Sequence, residues 1–111
     1  MNTVQLTLSS PEGIAALEVN GVFYRTTLFD QAKVNLFFSS LPGFIKKSMT
    51  KVNNTYVSKI EFSNEVDATS CLNSITSHNP VFANQCMSQE NLNILIQYEA
   101  LHNITITTVL V

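Results

Sequence analysis

The sequence predicts an α+β fold: a mixed, mainly antiparallel sheet of about five strands with about three helices packed on it. Some segments alternate apolar and polar residues, as half-buried strands do, and others repeat apolar residues at the spacing of one helix face. In chain order these segments read βββ-α-β-α-α-β. No linker rich in Gly, Pro or Ser divides the chain, so we expect a single globular domain over residues 1–111.

The first three strands are predicted near the N-terminus. Val4, Leu6 and Leu8 alternate with polar residues, which indicates a half-buried strand. Asn20-Gly21 lies between two apolar runs and favours the type I′ turn of a β-hairpin, because both central residues of that turn need positive φ. We therefore predict a hairpin at this turn, while residues 10–19 leave a strand and a short helix open as alternatives.

A helix is predicted after Asp30, which is a good N-cap residue. Its apolar face consists of Val34, Phe37, Phe38 and Leu41. Pro42-Gly43 ends or interrupts this helix. We expect residues 44–49 to add another helical turn or two before a loop at Asn53-Asn54.

The following segment predicts a strand and then a helix. Tyr56, Ile60 and Phe62 share one face of the strand. Ser63 or Asn64 can cap the helix. The apolar face of that helix consists of Ala68, Cys71, Leu72 and Ile75.

The last helix is predicted to begin at Ser88 and to be buried on more than one side. Its apolar stripe consists of Leu92, Leu95, Tyr98 and Leu101, widened by Ile94 and Ile96.

A final strand covers residues 104–111, which are rich in β-branched side chains. Its alternation slips at Thr107-Thr108, which predicts a β-bulge. No charged residue lies between Thr105 and Val111. If this strand lies at an edge of the sheet, its unpaired backbone groups can recruit a second copy of the chain.

Charge is scarce in this chain. Only 13% of the residues are charged, against roughly a quarter in typical soluble domains. The 45% hydrophobic content and the net charge of −2 exclude a disordered chain. One arginine and five lysines form no basic stripe, so we expect no binding to duplex nucleic acid. Without a visible signal peptide or a long apolar stretch, we expect a cytoplasmic protein without a membrane partner.

Catalytic and metal-binding motifs are absent from the sequence. Cys71 or Cys86 with His78 or His102 are the candidates for a nucleophile and its base, but no local signature surrounds any of them. The same four residues lack the short paired spacings of metal ligands, and the three glycines are too scattered for a phosphate-binding loop. We predict no catalytic residue, no metal and no cofactor, and interpret both cysteines as buried, reduced thiols.

Lys46, Lys47 and Lys51 form the main basic concentration. They are candidates for contact with a phosphate or an acidic protein surface. The alternative is a solvated face at a helix end, where cations are favourable.

The uncharged segment 77–86 is the other candidate contact region, because the centres of protein interfaces exclude charge. The alternative is an ordinary connection between two helices, with Val81 and Phe82 in the core. The candidate contact residues are His78, Asn79, Phe82, Asn84 and Gln85.

These observations favour a small non-enzymatic protein that acts by occupying a partner protein. An inhibitor or accessory protein encoded by a phage or another mobile element fits this description, and its location is then the host cytoplasm. The alternative is an oligomeric protein that sequesters a small ligand or nucleotide. Lys46, Lys47, Phe82 and Asn84 then line a site between subunits.

Overall fold

The computed structural model of the chain describes residues 1–75 and 80–111. Its fold is α+β, with a four-stranded sheet, a separate two-stranded hairpin and five α-helices among these residues. The strands are β1 (Thr3–Ser9), β2 (Glu18–Val19), β3 (Val22–Phe23), β4 (Phe44–Val52), β5 (Thr55–Phe62) and β6 (Thr105–Leu110). The helices are α1 (Tyr24–Leu28), α2 (Gln31–Ser39), α3 (Glu65–Ser74), α4 (Pro80–Cys86) and α5 (Gln89–Leu101), and a 3₁₀ turn covers Gly13–Ala16.

The main sheet has the order β4-β5-β1-β6, and each pair of neighbours is antiparallel. Val4 and Leu8 of β1 lie opposite Ile60 and Tyr56 of β5, and the sheet turns these residues toward the helices. We call this side of the sheet its helix-side face. The predicted strands at the positions of β1 and β5 are confirmed, and Val4, Ile60 and Phe62 are buried in the core as their alternation indicates.

The N-terminal hairpin forms at the predicted turn, where Asn20 and Gly21 have φ of 55° and 79°. Its strands are only two residues long and do not join the main sheet, because α1 begins at Tyr24. The main sheet therefore has four strands rather than about five, and all its pairs are antiparallel. Within residues 10–19, the 3₁₀ turn precedes β2, so both alternatives are partly realised.

The prediction of a helix over residues 44–49 is wrong, since this segment belongs to β4. Asn53 adopts a positive φ of 55° at the turn, and β4 pairs with β5 along almost its whole length. This pairing satisfies the backbone N–H and C=O groups that face β5, in a segment whose own composition favours neither helix nor strand strongly.

Three helices begin at the predicted caps. The Asp30, Asn64 and Ser88 side chains each accept a hydrogen bond from the backbone N–H three residues further on. The segment predicted as an uncharged loop instead contains α4. Its polar residues are neutral amides that a helix can leave in solvent, while Ala83 and Cys86 turn into the core.

The prediction that α5 is buried on more than one side is wrong. Leu92 and Leu95 are buried, but Leu101 is 74% exposed. Ile94 and Ile96 are also exposed. The apolar residues of α5 exceed the single face that its neighbours cover, and the buried face continues with Glu99 instead.

β6 is an edge strand without the predicted bulge. Its register against β1 runs without a shift, so Thr107 and Thr108 alternate normally. Threonine is tolerated on either face, which is why the apparent slip in apolar alternation has no structural counterpart. The irregularity of the sheet lies in β4 instead, between Phe44 and Lys46.

Candidate functional site

β4 divides the three candidate lysines between different environments. Lys46 lies opposite Glu61, and its Nζ is 3.4 Å from a carboxylate oxygen of that residue. Lys51 donates a hydrogen bond of 3.1 Å to Glu18 of the hairpin. Lys47 lies opposite Ile60, on the helix-side face, where its side chain is half-buried. The lysines therefore do not form one basic patch.

α4 places Phe82 in a cluster of four aromatic rings. Its ring centroid lies 5.0 to 5.3 Å from those of Phe29, Phe37 and Phe38, distances typical of favourable aromatic pairs. This packing agrees with the alternative interpretation of segment 77–86, in which Phe82 lies in the core. Asn84 and Gln85 are exposed on α4, and His78 and Asn79 lie outside the described residues.

A cavity of about 170 Å³ lies between the helix-side face of the sheet and helices α1, α2 and α4. Its sheet wall includes Leu6, Ser58 and Ile60, and its helix wall includes Phe38 and Phe82. Lys47 and Met49 line it at the β4 edge, and Met49 is 40% exposed there. The cavity therefore brings together two of the candidate residues, Lys47 and Phe82, but not Lys46 or Asn84.

Arg25 lines the same cavity from α1, and its charge is neutralised inside the protein. Its Nε and Nη2 donate hydrogen bonds of 2.9 and 2.6 Å to Oε2 of Glu99, and the Tyr24 hydroxyl donates to the same oxygen. The side chains of Arg25 and Glu99 are only 15% and 4% exposed. Burial is the main cause that raises the pKa of the Tyr24 hydroxyl, so it stays protonated as a donor.

Lys47 has a different electrostatic environment. Its Nζ lies 5.5 Å from the centroid of the Phe38 ring, within the range of a cation–π contact. Among residues 1–75 and 80–111, no carboxylate forms an ion pair with it. Burial lowers the pKa of its ammonium group. Lys47 is thus a half-buried cation at an apolar cavity without a protein counter-charge in the described part of the chain.

The free edge of β6 is the second candidate feature. Thr3 and Val111 exchange two backbone hydrogen bonds, N–H of each to C=O of the other, at 3.2 and 2.8 Å. Because such pairs alternate along an antiparallel ladder, Thr105, Thr107 and Val109 also bond to β1. The backbone groups of Ile106, Thr108 and Leu110 consequently point away from the sheet.

Sequence reasoning missed Arg25 and Glu99 as members of a site. Glu99 continues the spacing of Leu92 and Leu95 at i, i+3 and i+7, so a charged residue at a core position of the helix was the available signal. A buried carboxylate needs a cationic partner, and Arg25 is the single arginine of the chain.

Both cysteines are free and buried, as the sequence indicated. Burial raises the pKa of the Cys71 thiol to about 11, and burial together with Asp30 raises that of Cys86. The described residues contain no cluster of three His, Cys, Asp or Glu side chains suited to a metal ion. Within the same residues, none of the helices combines the length and the hydrophobicity that crossing a membrane requires.

Comparisons of this chain with protein-family models, with curated proteins and with solved structures gave no match.

Proposed function

We propose that this is a non-enzymatic binding protein that acts through contact with another protein chain, and that the free edge of β6 makes this contact. The observation that carries the proposal is an edge strand of six residues whose outward backbone groups have no partner strand among the described residues and whose side chains carry no charge. Such an edge is a template for a further strand, because main-chain hydrogen bonds supply affinity to any extended segment.

A second copy of the chain can pair with the outward backbone groups of β6 through its own β6. When two β6 strands pair antiparallel about a two-fold axis at Thr108, Ile106 of one copy lies opposite Leu110 of the other. All three residues point their backbone groups outward, so the copies exchange hydrogen bonds at each pair. The side chains at these positions are half-buried on the helix-side face, so pairing extends both the sheet and its apolar layer.

The opposite edge of the sheet is less suited to the same contact. β4 carries Lys46, Lys47 and Lys51, and antiparallel pairing of two copies of β4 brings like charges close together. Lysines on an edge strand are a common protection against strand addition. The charge distribution therefore favours β6 over β4 as the contact edge.

The test compares two proline substitutions in the full chain. Thr108→Pro removes an outward N–H of β6 without removing a bond of the β1–β6 ladder. Met49→Pro is the matched control, because the same alternation gives Met49 an outward N–H on β4. We expect the wild type and M49P to have twice the 12.3 kDa mass of one chain by light scattering, and T108P to be monomeric.

A wild-type protein that stays monomeric at tens of micromolar overturns self-pairing through β6. Equal dimerisation by wild type and T108P overturns the assignment of the edge. Circular dichroism of both variants checks that each keeps its secondary structure. The cytoplasmic location and the role as a phage-encoded inhibitor or accessory protein rest on the sequence alone and remain part of the proposal.

A further inference from the structure

We propose that the cavity binds a small apolar molecule carrying one carboxylate group, and that the Lys47 ammonium is its counter-charge. The expected ligand has the size of benzoate or of a short branched-chain acid. This site lies inside one chain and is independent of the β6 contact.

The size and lining of the cavity define the apolar part of the ligand. Its volume of about 170 Å³ is close to that of an engineered protein cavity of about 150 Å³ that binds benzene. Leu6, Ile60, Phe38 and Phe82 supply apolar and aromatic walls on both sides. A largely apolar pocket with a few polar groups is the usual composition of small-molecule sites.

The charges around the cavity define the polar part of the ligand. Arg25 and Lys47 are the charged residues of the lining, and Glu99 already compensates Arg25. The described lining thus has one uncompensated positive charge, at Lys47. A carboxylate placed against it forms a charge-assisted hydrogen bond, which is roughly twice as strong as a neutral one.

Ser58 provides a second polar group near the same point. Lys47 lies opposite Ile60 in the register, and Ser58 is two residues from Ile60, so Lys47 and Ser58 are diagonal neighbours on the helix-side face. Ser58 lines the cavity and is 4% exposed, and its hydroxyl forms no hydrogen bond with the side chains of the described residues. In the proposed complex, one carboxylate accepts hydrogen bonds from both side chains.

The same dimensions argue against a nucleotide. A base with its sugar and phosphate is much larger than a benzene-sized space, and a phosphate group would carry more charge than the single lysine compensates. Lys46 and Asn84, which the nucleotide hypothesis also required, do not line the cavity. A monocarboxylate matches both the volume and the charge.

The experiment measures binding of benzoate and of benzyl alcohol, its neutral analogue of similar shape, by calorimetry with the full chain. We expect benzoate to bind about tenfold more tightly than benzyl alcohol, because only the carboxylate pairs with Lys47. Lys47→Met should remove this preference and leave benzyl alcohol binding unchanged. Lys46→Met is the matched control, since Lys46 is paired with Glu61 and lies outside the cavity.

A second variant tests the location of the ligand. Ser58→Leu fills the cavity from the sheet and should abolish binding of both compounds, with the fold checked by circular dichroism. Equal affinity for the two compounds, or a benzoate preference that survives in K47M, overturns the role of Lys47. Absence of binding by either compound at millimolar concentration overturns the site itself.

Discussion

The two cations at the cavity, Arg25 and Lys47, differ in whether a carboxylate of the described residues pairs with them. Arg25 lies on α1, and Glu99 of α5 accepts two of its hydrogen bonds in an almost fully buried ion pair. Lys47 lies on β4, has an aromatic ring beneath its ammonium group, and forms no ion pair with the described residues. Arg25 therefore has its counter-charge beside the cavity, and Lys47 has none among the residues that the structure describes.

This difference separates a structural charge from a candidate binding charge. Removing one member of a buried ion pair leaves the other uncompensated and destabilises the fold strongly. Removing a half-buried cation with no counter-charge in the described part of the chain removes a desolvation cost instead. Stability measurements can thus test the comparison without knowledge of any ligand.

The largest effect is expected for Glu99→Gln. The substitution keeps the shape of the side chain but leaves the Arg25 guanidinium buried without its counter-charge, which should lower the free energy of unfolding by about 3 to 5 kcal/mol. Urea denaturation provides the measurement. Glu90→Gln, in the exposed first turn of the same helix, is the control and should cost at most about 1 kcal/mol. A loss below that of E90Q contradicts the assigned role of the pair.

A smaller loss is expected for Tyr24→Phe. This substitution removes the hydroxyl that donates to Glu99 but keeps the ring, whose centroid is 4.8 Å from that of Tyr98. A hydrogen bond to a charged group contributes about 1.5 to 3 kcal/mol, so the loss should fall in that range. In an E99Q background the same substitution should cost less, because the charged acceptor is already absent. Additive losses in the double mutant would show that the two residues act independently.

Local signals explain which parts of the fold the sequence predicted. Asp30, Asn64 and Ser88 cap their helices through contacts only three residues long, so the beginning of each helix is encoded beside it. Asn20-Gly21 likewise encodes its turn locally. The α+β class follows from these elements together with the alternating segments at β1 and β5.

The cavity could not be predicted because it depends on contacts between distant segments. Residues 44–49 become part of β4 only through pairing with β5, and without a strand there is no alternation that turns Lys47 toward the helices and Lys46 away. α4 posed the same problem, since a helix of seven residues carries only a short apolar face, here Phe82, Ala83 and Cys86. The spacing of Glu99 with Leu92 and Leu95 indicates a position on the buried face of α5. Its partner Arg25, however, is 74 residues away in the chain.

The smallest effect on stability is expected for Lys47→Met, and its dependence on pH is the informative part. Near neutral pH the substitution should change the free energy of unfolding by less than about 1 kcal/mol, since it exchanges a half-buried cation that forms no ion pair with the described residues for an apolar side chain. Burial lowers the pKa of Lys47 in the folded protein below the ordinary lysine value of 10.5. Between the lowered pKa of the folded protein and 10.5, the unfolded chain binds more protons than the folded one. The free energy of unfolding of the wild type therefore increases as the pH rises through this interval.

K47M lacks this increase. The free energy of unfolding of the wild type should therefore rise relative to that of K47M as the pH approaches 10.5. Arg25 across the cavity and Lys51 along the same strand are present in both proteins, so their contributions cancel in the difference. Thermal unfolding of both proteins at matched ionic strength between pH 7 and the onset of alkaline unfolding measures it. Affinity for benzoate should move in the opposite direction, because the deprotonated amine no longer attracts a carboxylate. A difference that is flat with pH would place Lys47 in solvent, as an ordinary surface lysine.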